Sequence, residues 1–167
     1  MSRGPLTLRA LRRLVDRGTA YRLGISLYPP YLGAGIACAR ATPDLRTVEI
    51  TLTLRWYNRN FVGTHFGGSL FSMCDPHYML MLLEALGHRC VVWDKAATIR
   101  YRRPGRGVVR AVFHLSQERL DAITAKLDAG ARSLDETFEV QVVDAEGTVV
   151  AELEKVVYLR RKELPQG

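Results

Sequence analysis

The sequence predicts an α+β fold in which one antiparallel sheet wraps a long central helix. Three observations predict it. An alternating strand from Arg46 to Tyr57 leads through adjacent glycines into an apolar segment, residues 69–86. The chain beyond that segment is strand-rich, with a single helical interruption. Its strands follow one another through short turns, and strands joined in that way pair antiparallel. One long apolar helix and one such sheet bury their apolar faces most simply against each other.

Taken in order, Leu8, Leu11, Leu14 and Val15 recur at helical spacing and predict a short amphipathic helix over residues about 6–17. "YRLGISLYPPYLGAGI" reads as helix and then loop, broken by Pro29 and Pro30. In "RTVEITLTLRWY", Val48, Ile50, Leu52, Leu54 and Trp56 alternate with Glu49, Thr51, Thr53, Arg55 and Tyr57, a strand with one buried face. "SLFSMCDPHYMLMLLEAL" reads as one helix ending at Gly87, roughly 27 Å long at the rise of an α-helix. Pro76 should kink it by removing the bond to the Ser72 carbonyl. "CVVWDKAATIRYRR" and "GVVRAVFHLS" read as two strands about the Pro104-Gly105 turn, and "QERLDAITAKLDAGA" as a helix with Leu120, Ile123 and Leu127 on one side. "DETFEVQVV" and "TVVAELEKVVYLRRK" flank "DAEG" as a hairpin. This places an N-terminal helical extension at residues 1–45 and the main domain at 46–162.

Composition narrows the function. The chain has 167 residues, 47% of them hydrophobic and 25% charged, enough for one domain with a core and too apolar for disorder. No apolar run approaches the roughly 20 residues of a membrane span, and Arg9, Arg12 and Arg13 interrupt what would be a signal-peptide core. Cys38, Cys74 and Cys90 are odd in number and lack CxxC spacing, which argues against a disulfide framework or structural zinc and suits a reducing cytoplasm. Four scattered His residues offer no metal spacing, and no cofactor is expected. A net charge of +7 attracts anions generally. Basic residues gather from Arg3 to Arg22, from Arg100 to Arg110, and in the tail "LRRK". Aromatics do not interleave with them beyond Tyr101, so a nucleic-acid partner is not expected.

The stretch Asn60 to Asp75 carries the functional signal. Asn60, Gly63, Gly67, Gly68 and Asp75 stand in the spacing N-x-x-G-x-x-H-G-G followed by an Asp seven residues on. In strand–turn–helix context this resembles the phenylacetyl-CoA-type thioesterases of the hotdog fold. "GTHFGGSLFSMCDPHYM" with "WDKAATIRYRRPGRG" resembles a bacterial branch of that superfamily labelled tetrameric acyl-CoA thioesterase-like. The resemblance implies a hotdog fold, homodimers often paired into homotetramers, and acyl-CoA as ligand. It also implies a carboxylate acting across the dimer interface, here Asp75, as general base or nucleophile. The sequence departs from the pattern at one place. Phe66 stands where the pattern has His, and His65 lies one residue earlier, a rotation of roughly 100° at a helix start. The His role is not transferred to His65.

The residue chemistry agrees with that implication. Gly67 and Gly68 at a helix start leave N–H groups open, able to hold a thioester oxygen as it gains charge. Asp75 in an apolar helix makes sense if it faces a cleft where catalysis uses it. Asn60 either orients water or simply shapes the turn. Thr64, His65 and Phe66 flank the turn and are candidates for ligand contact. Arg102, Arg103 and Arg106 offer guanidinium groups that suit nucleotide phosphates, or else form a solvated basic turn. Lys95 is expected to pair with Asp94 or Glu84. Phe66, Phe71, Met73, Met79 and Met81 line an acyl tunnel or belong to the core. The expected function is acyl-CoA thioester hydrolysis at a dimer interface; a non-catalytic acyl-ligand binder on the same fold is the alternative. A dehydratase is disfavoured by Phe66.

Overall fold

A computed structural model describes residues 16–162. The helix expected over residues about 6–17 falls outside the described residues except for Asp16 and Arg17. Asp16 instead caps a different helix, α1 (Arg17–Ser26), its carboxylate accepting from the Thr19 N–H at 3.1 Å and the Thr19 hydroxyl at 2.7 Å. The two prolines after it do not begin a loop. Pro29 opens α2 (Pro29–Ala34), where a missing N–H costs nothing, and Gly35 ends that helix with φ +77°.

Six strands form one antiparallel sheet in the order β1-β2-β4-β5-β6-β3. They are β1 (Ile36–Ala41), β2 (Thr47–Thr53), β3 (Cys90–Tyr101), β4 (Val108–His114), β5 (Ser133–Val143) and β6 (Val149–Arg161). The strand β1 was not expected, and it places the sheet's beginning at Ile36, inside the segment read as an extension. Val48, Ile50 and Leu52 of β2 are wholly buried, as their alternation requires. The strand then stops four residues short of Tyr57. The Asn58 side chain takes over its end: Nδ2 donates to the Thr53 carbonyl at 2.9 Å and to Ala34 O at 2.7 Å, while Oδ1 accepts from Arg55 N–H at 2.7 Å. Trp56 is accordingly 82% exposed rather than buried.

The expected single helix is two: α3 (Gly67–Ser72) and α4 (His77–Leu86), joined through Met73–Pro76. Pro76 provides no N–H for the Ser72 carbonyl. The Tyr31 hydroxyl from α2 donates to that carbonyl instead, at 2.7 Å. The broken helix lies on the sheet's inner face, where Tyr78 stacks on Phe138 with ring centroids 4.4 Å apart and meets Phe113 edge-on.

A further difference concerns pairing. β3 and β4 are consecutive but do not form a hairpin. β3 pairs with β6, and β4 lies between β2 and β5. The intervening loop crosses the strand ends and is fixed there: Arg102 N–H and Arg103 N–H donate to Val150 O, His65 N–H to Gly105 O, and Leu54 N–H to Gly107 O. The hairpin β5–β6 forms as expected about Asp144–Gly147, with Gly147 at φ +83°. Helix α5 (Gln117–Asp128) buries Leu120, Ile123 and Leu127, and Glu136 of β5 anchors it through Arg119 and Lys126. No helix among the described residues is long and apolar enough to cross a membrane.

Candidate active site

The turn before α3 is organised by Asn60. Its side chain donates to Thr64 Oγ1 at 2.9 Å and to His65 O at 3.1 Å, and accepts from the N–H groups of Val62 and Thr64 at 3.1 and 2.9 Å. All its hydrogen-bonding capacity is thus spent on the loop, which supports the turn-shaping role over contact with a ligand. Gly63 occupies the left-handed region, φ +79°, where a side chain would be strained. Thr64 and His65 are thereby turned inward and buried. His65 Nε2 has no partner among the described residues, and burial pulls its imidazole below the usual histidine range.

Phe66 caps α3 by position and lies 57% exposed. The next two residues are glycines that lie against the tips of two exposed rings. A Cβ on Gly67 would sit 3.0 Å from the Tyr101 hydroxyl, and one on Gly68 would sit 2.5 Å from the Phe66 ring. The Tyr101 hydroxyl donates to Gly67 O at 3.0 Å. Helix geometry leaves the first N–H groups of α3 without helical partners; Ser69 and Leu70 N–H are already bonded to Phe66 O.

Beside this turn is a cleft of about 520 Å³ lined by Asn60, Thr64, His65, Gly67, Tyr101 and the three arginines Arg102, Arg103 and Arg106. The arginines differ in availability. Arg102 is committed to Glu152 through Nε and Nη2, at 2.8 and 2.6 Å. Arg106 donates to Gly63 O at 3.2 Å. Arg103 has no side-chain partner among the described residues. An adjoining groove of about 1010 Å³ carries Trp56, Tyr57, Phe61, Val62 and Phe66, an exposed apolar surface larger than isolated side chains explain. Of the residues expected to line an acyl tunnel, Met73 and Met81 belong to the core.

Asp75 is in the break between α3 and α4, so no helix interior has to hold it. Its N–H donates to Phe71 O and its side chain is 42% exposed. Oδ1 accepts from Lys155 Nζ at 2.5 Å. Lys155 is 2% exposed and lies 2.9 Å from Asp94 Oδ2 on its other side. Burial raises the Asp94 carboxyl above its ordinary range, against the opposing pull of the Lys155 ammonium. Lys95 does not pair with Asp94; it reaches Asp135 at 2.6 Å. Sequence reasoning missed Lys155. The signal was the alternation Leu153, Lys155, Val157, Leu159, which puts a lysine on the buried face of β6. Cys74, next to Asp75, is no nucleophile, because burial pushes its thiol up to about 12. Within one chain Asp75 and the glycines stand at opposite ends of α3, and Asp75 does not line the arginine cleft. Among the described residues, no three His, Cys, Asp or Glu side chains gather as metal ligands.

The family model described as a domain of unknown function, DUF4442, matches residues 20–159. The chain belongs to the DUF4442 family. A search of curated proteins finds no match. Solved structures share the DUF4442 chain's architecture. A Pseudomonas aeruginosa protein of unknown function, described as a probable thioesterase, superposes with a TM-score of 0.77 at 22% identity over 89% of this chain and 99% of that one. The PaaI protein of the E. coli phenylacetic acid degradation operon gives 0.55 at 16% identity, over 82% of this chain and 86% of that one. A thioesterase enzyme of Staphylococcus aureus gives 0.57 at 8% identity, over 80% and 99% respectively. The DUF4442 chain therefore has the hotdog fold, an α+β architecture of antiparallel sheet and central helix.

Proposed function

We propose that this DUF4442 protein is an acyl-CoA thioesterase acting at the interface of a homodimer, or of a dimer within a homotetramer. The observation that carries the proposal is Asp75: a half-exposed carboxylate at the break of the central helix, with Oδ1 tied and Oδ2 free of any hydrogen bond among the described residues. The hotdog neighbours described as thioesterases support the same reading.

The chemistry follows from the groups present. The nucleotide phosphates of the ligand meet the arginine cleft, foremost Arg103. The thioester carbonyl points at the open amides of Gly67 and Gly68, which stabilise the oxygen as charge develops. Asp75 of the second copy takes a proton from water, and the hydroxyl adds to the carbonyl carbon. The tetrahedral intermediate collapses with cleavage of the C–S bond, and the thiolate leaves and is protonated. The products are a carboxylic acid and the CoA thiol. A second copy is required because one chain holds Asp75 and its own glycines apart. The unpaired edge of the long strand β3 and the exposed groove aromatics are surfaces that self-association covers. Three free, buried cysteines fit a cytoplasmic setting.

Asp75→Asn tests this directly. Thiol release from phenylacetyl-CoA, a short-chain and a long-chain acyl-CoA should fall by about 10²- to 10³-fold, and light scattering should find no stable monomer. The alternative, an acyl-CoA binder without turnover, draws on Phe66 at the usual His position. It prevails if the parent protein binds these thioesters and releases no thiol from any of them.

A further inference from the structure

We propose that Lys155 is a positioning residue that aims Asp75, with Asp94 as the counter-anchor that holds Lys155 in place. The inference rests on Asp75 being the base. What the geometry adds is a reason for a charged lysine on the buried face of β6.

An ammonium at 2% exposure costs several kcal/mol in desolvation unless charges and hydrogen bonds compensate it. A core position between Leu153 and Val157 could be filled by an aliphatic residue at no such cost. Lys155 is compensated on two sides, by Asp75 at 2.5 Å and Asp94 at 2.9 Å. The two carboxylates are not equivalent. Asp94 is held on β3, where the ladder shifts register between Asp94 and Ala96, and its Oδ1 is buried with no hydrogen-bond partner among the described residues. Asp75 is on the short connection between two helices and is half-exposed to solvent. The strand-held pair Lys155–Asp94 is therefore the rigid half, and Asp75 is the half being steered. Tethering Oδ1 fixes the carboxylate plane and leaves Oδ2 directed outward. A side chain on a four-residue break has several rotamers available in water, and most would point its oxygens away from a partner copy's carbonyl site. Misplacement of a reacting group by about 1 Å can cost 10²-fold in rate.

A purely structural ion cluster would have the same geometry, so the test needs a readout that a structural role does not move. A double-mutant cycle supplies it. Lys155→Met alone strands the buried Asp94 carboxylate and endangers folding. Lys155→Met with Asp94→Leu removes cation and anion together and keeps the volume apolar. Its circular dichroism and melting temperature establish that it folds. In that background Asp75 is present but untethered. Thiol release from the same acyl-CoA panel should fall by about 10- to 100-fold in kcat, with KM changed less than about threefold. Adding Asp75→Asn should then cost less than about tenfold more, against the 10²- to 10³-fold it costs in the parent. If Asp75→Asn costs the same factor in both backgrounds, Lys155 is only structural and the inference is overturned while the base assignment stands. If Asp75→Asn leaves the parent's rate unchanged, the base assignment falls and the steering role falls with it.

Discussion

His77 shows what burial of a single titratable side chain does to the pH response. It is wholly enclosed at the start of α4, with its ring 4.6 Å from Phe113 and Nδ1 2.7 Å from the Tyr21 hydroxyl. Desolvation pushes its pKa from 6.5 to about 3. The native state then stays unprotonated while the unfolded chain takes up a proton near pH 6.5. Stability from this residue is complete above pH 6.5 and is lost as pH falls toward 3, by at most about 1.4 kcal/mol per pH unit. His65 shifts in the same direction through burial; Asp94, raised, acts oppositely at lower pH. Replacing the Tyr21–His77 pair with Phe and Leu should flatten the stability curve between pH 6.5 and 4, as read by urea unfolding at several pH values. An unchanged slope would mean that His77 titrates normally. At this scale Asp75 and the glycines were legible because their spacing is a linear pattern. The Asp75–Lys155 contact was not, because it joins residues 80 positions apart that only the β6 register brings together.

At the scale of elements, what the sequence disclosed depended on periodicity. β2, α5 and the β5–β6 hairpin have clear two- or 3.6-residue patterns and formed in the expected segments, although β2 ends at Thr53 where the alternation ran on to Tyr57. β1, "IACARA", has little alternating hydrophobicity and is defined by its ladder with β2, so it was invisible locally. The β3–β4 connection carried a turn signal, yet long-range pairing with β6 outweighed it. Docking of α1 offers a test of how tightly these pieces interlock. A Cβ on Gly18 would lie 2.4 Å from Ala41 O and 2.8 Å from the Thr42 carbonyl carbon. Both are backbone atoms at the end of β1, and neither can swing aside. Gly18→Ala should therefore destabilise the fold by about 1–3 kcal/mol. A Cβ on Gly33, within α2, would meet nothing within 4 Å, so Gly33→Ala should be neutral or stabilise by up to about 1 kcal/mol. Urea midpoints with an unchanged m-value would distinguish the two; equal effects would show that α1 shifts freely on β1.

For the molecule as a whole, a net charge of +7 draws any anion, and selectivity has to come from which positive groups remain available. The arginine cleft orders them. Arg102 is paired with the Glu152 carboxylate, and Arg106 keeps its charge but spends one donor on the Gly63 carbonyl, so each meets an incoming phosphate with part of its guanidinium fork already committed. Arg103 keeps its guanidinium unpaired among the described residues and lies in the same cleft as Gly67. Guanidinium–phosphate recognition is bidentate, whereas the diffuse attraction of the remaining charge is screened over about 10 Å at moderate salt. Arg103→Ala should accordingly raise KM for acyl-CoA by about 3- to 10-fold while leaving kcat nearly constant, since the lost contact is to the nucleotide and not to the reacting carbonyl. The defect should shrink for a substrate carrying the acyl group on pantetheine, which has no nucleotide phosphates. Arg102→Ala should change KM less, because it removes a cation already paired. Equal KM increases for both variants, or a defect that persists with the acyl-pantetheine substrate, would move phosphate recognition away from this cleft and leave the general field of the protein as the source of its affinity for anions.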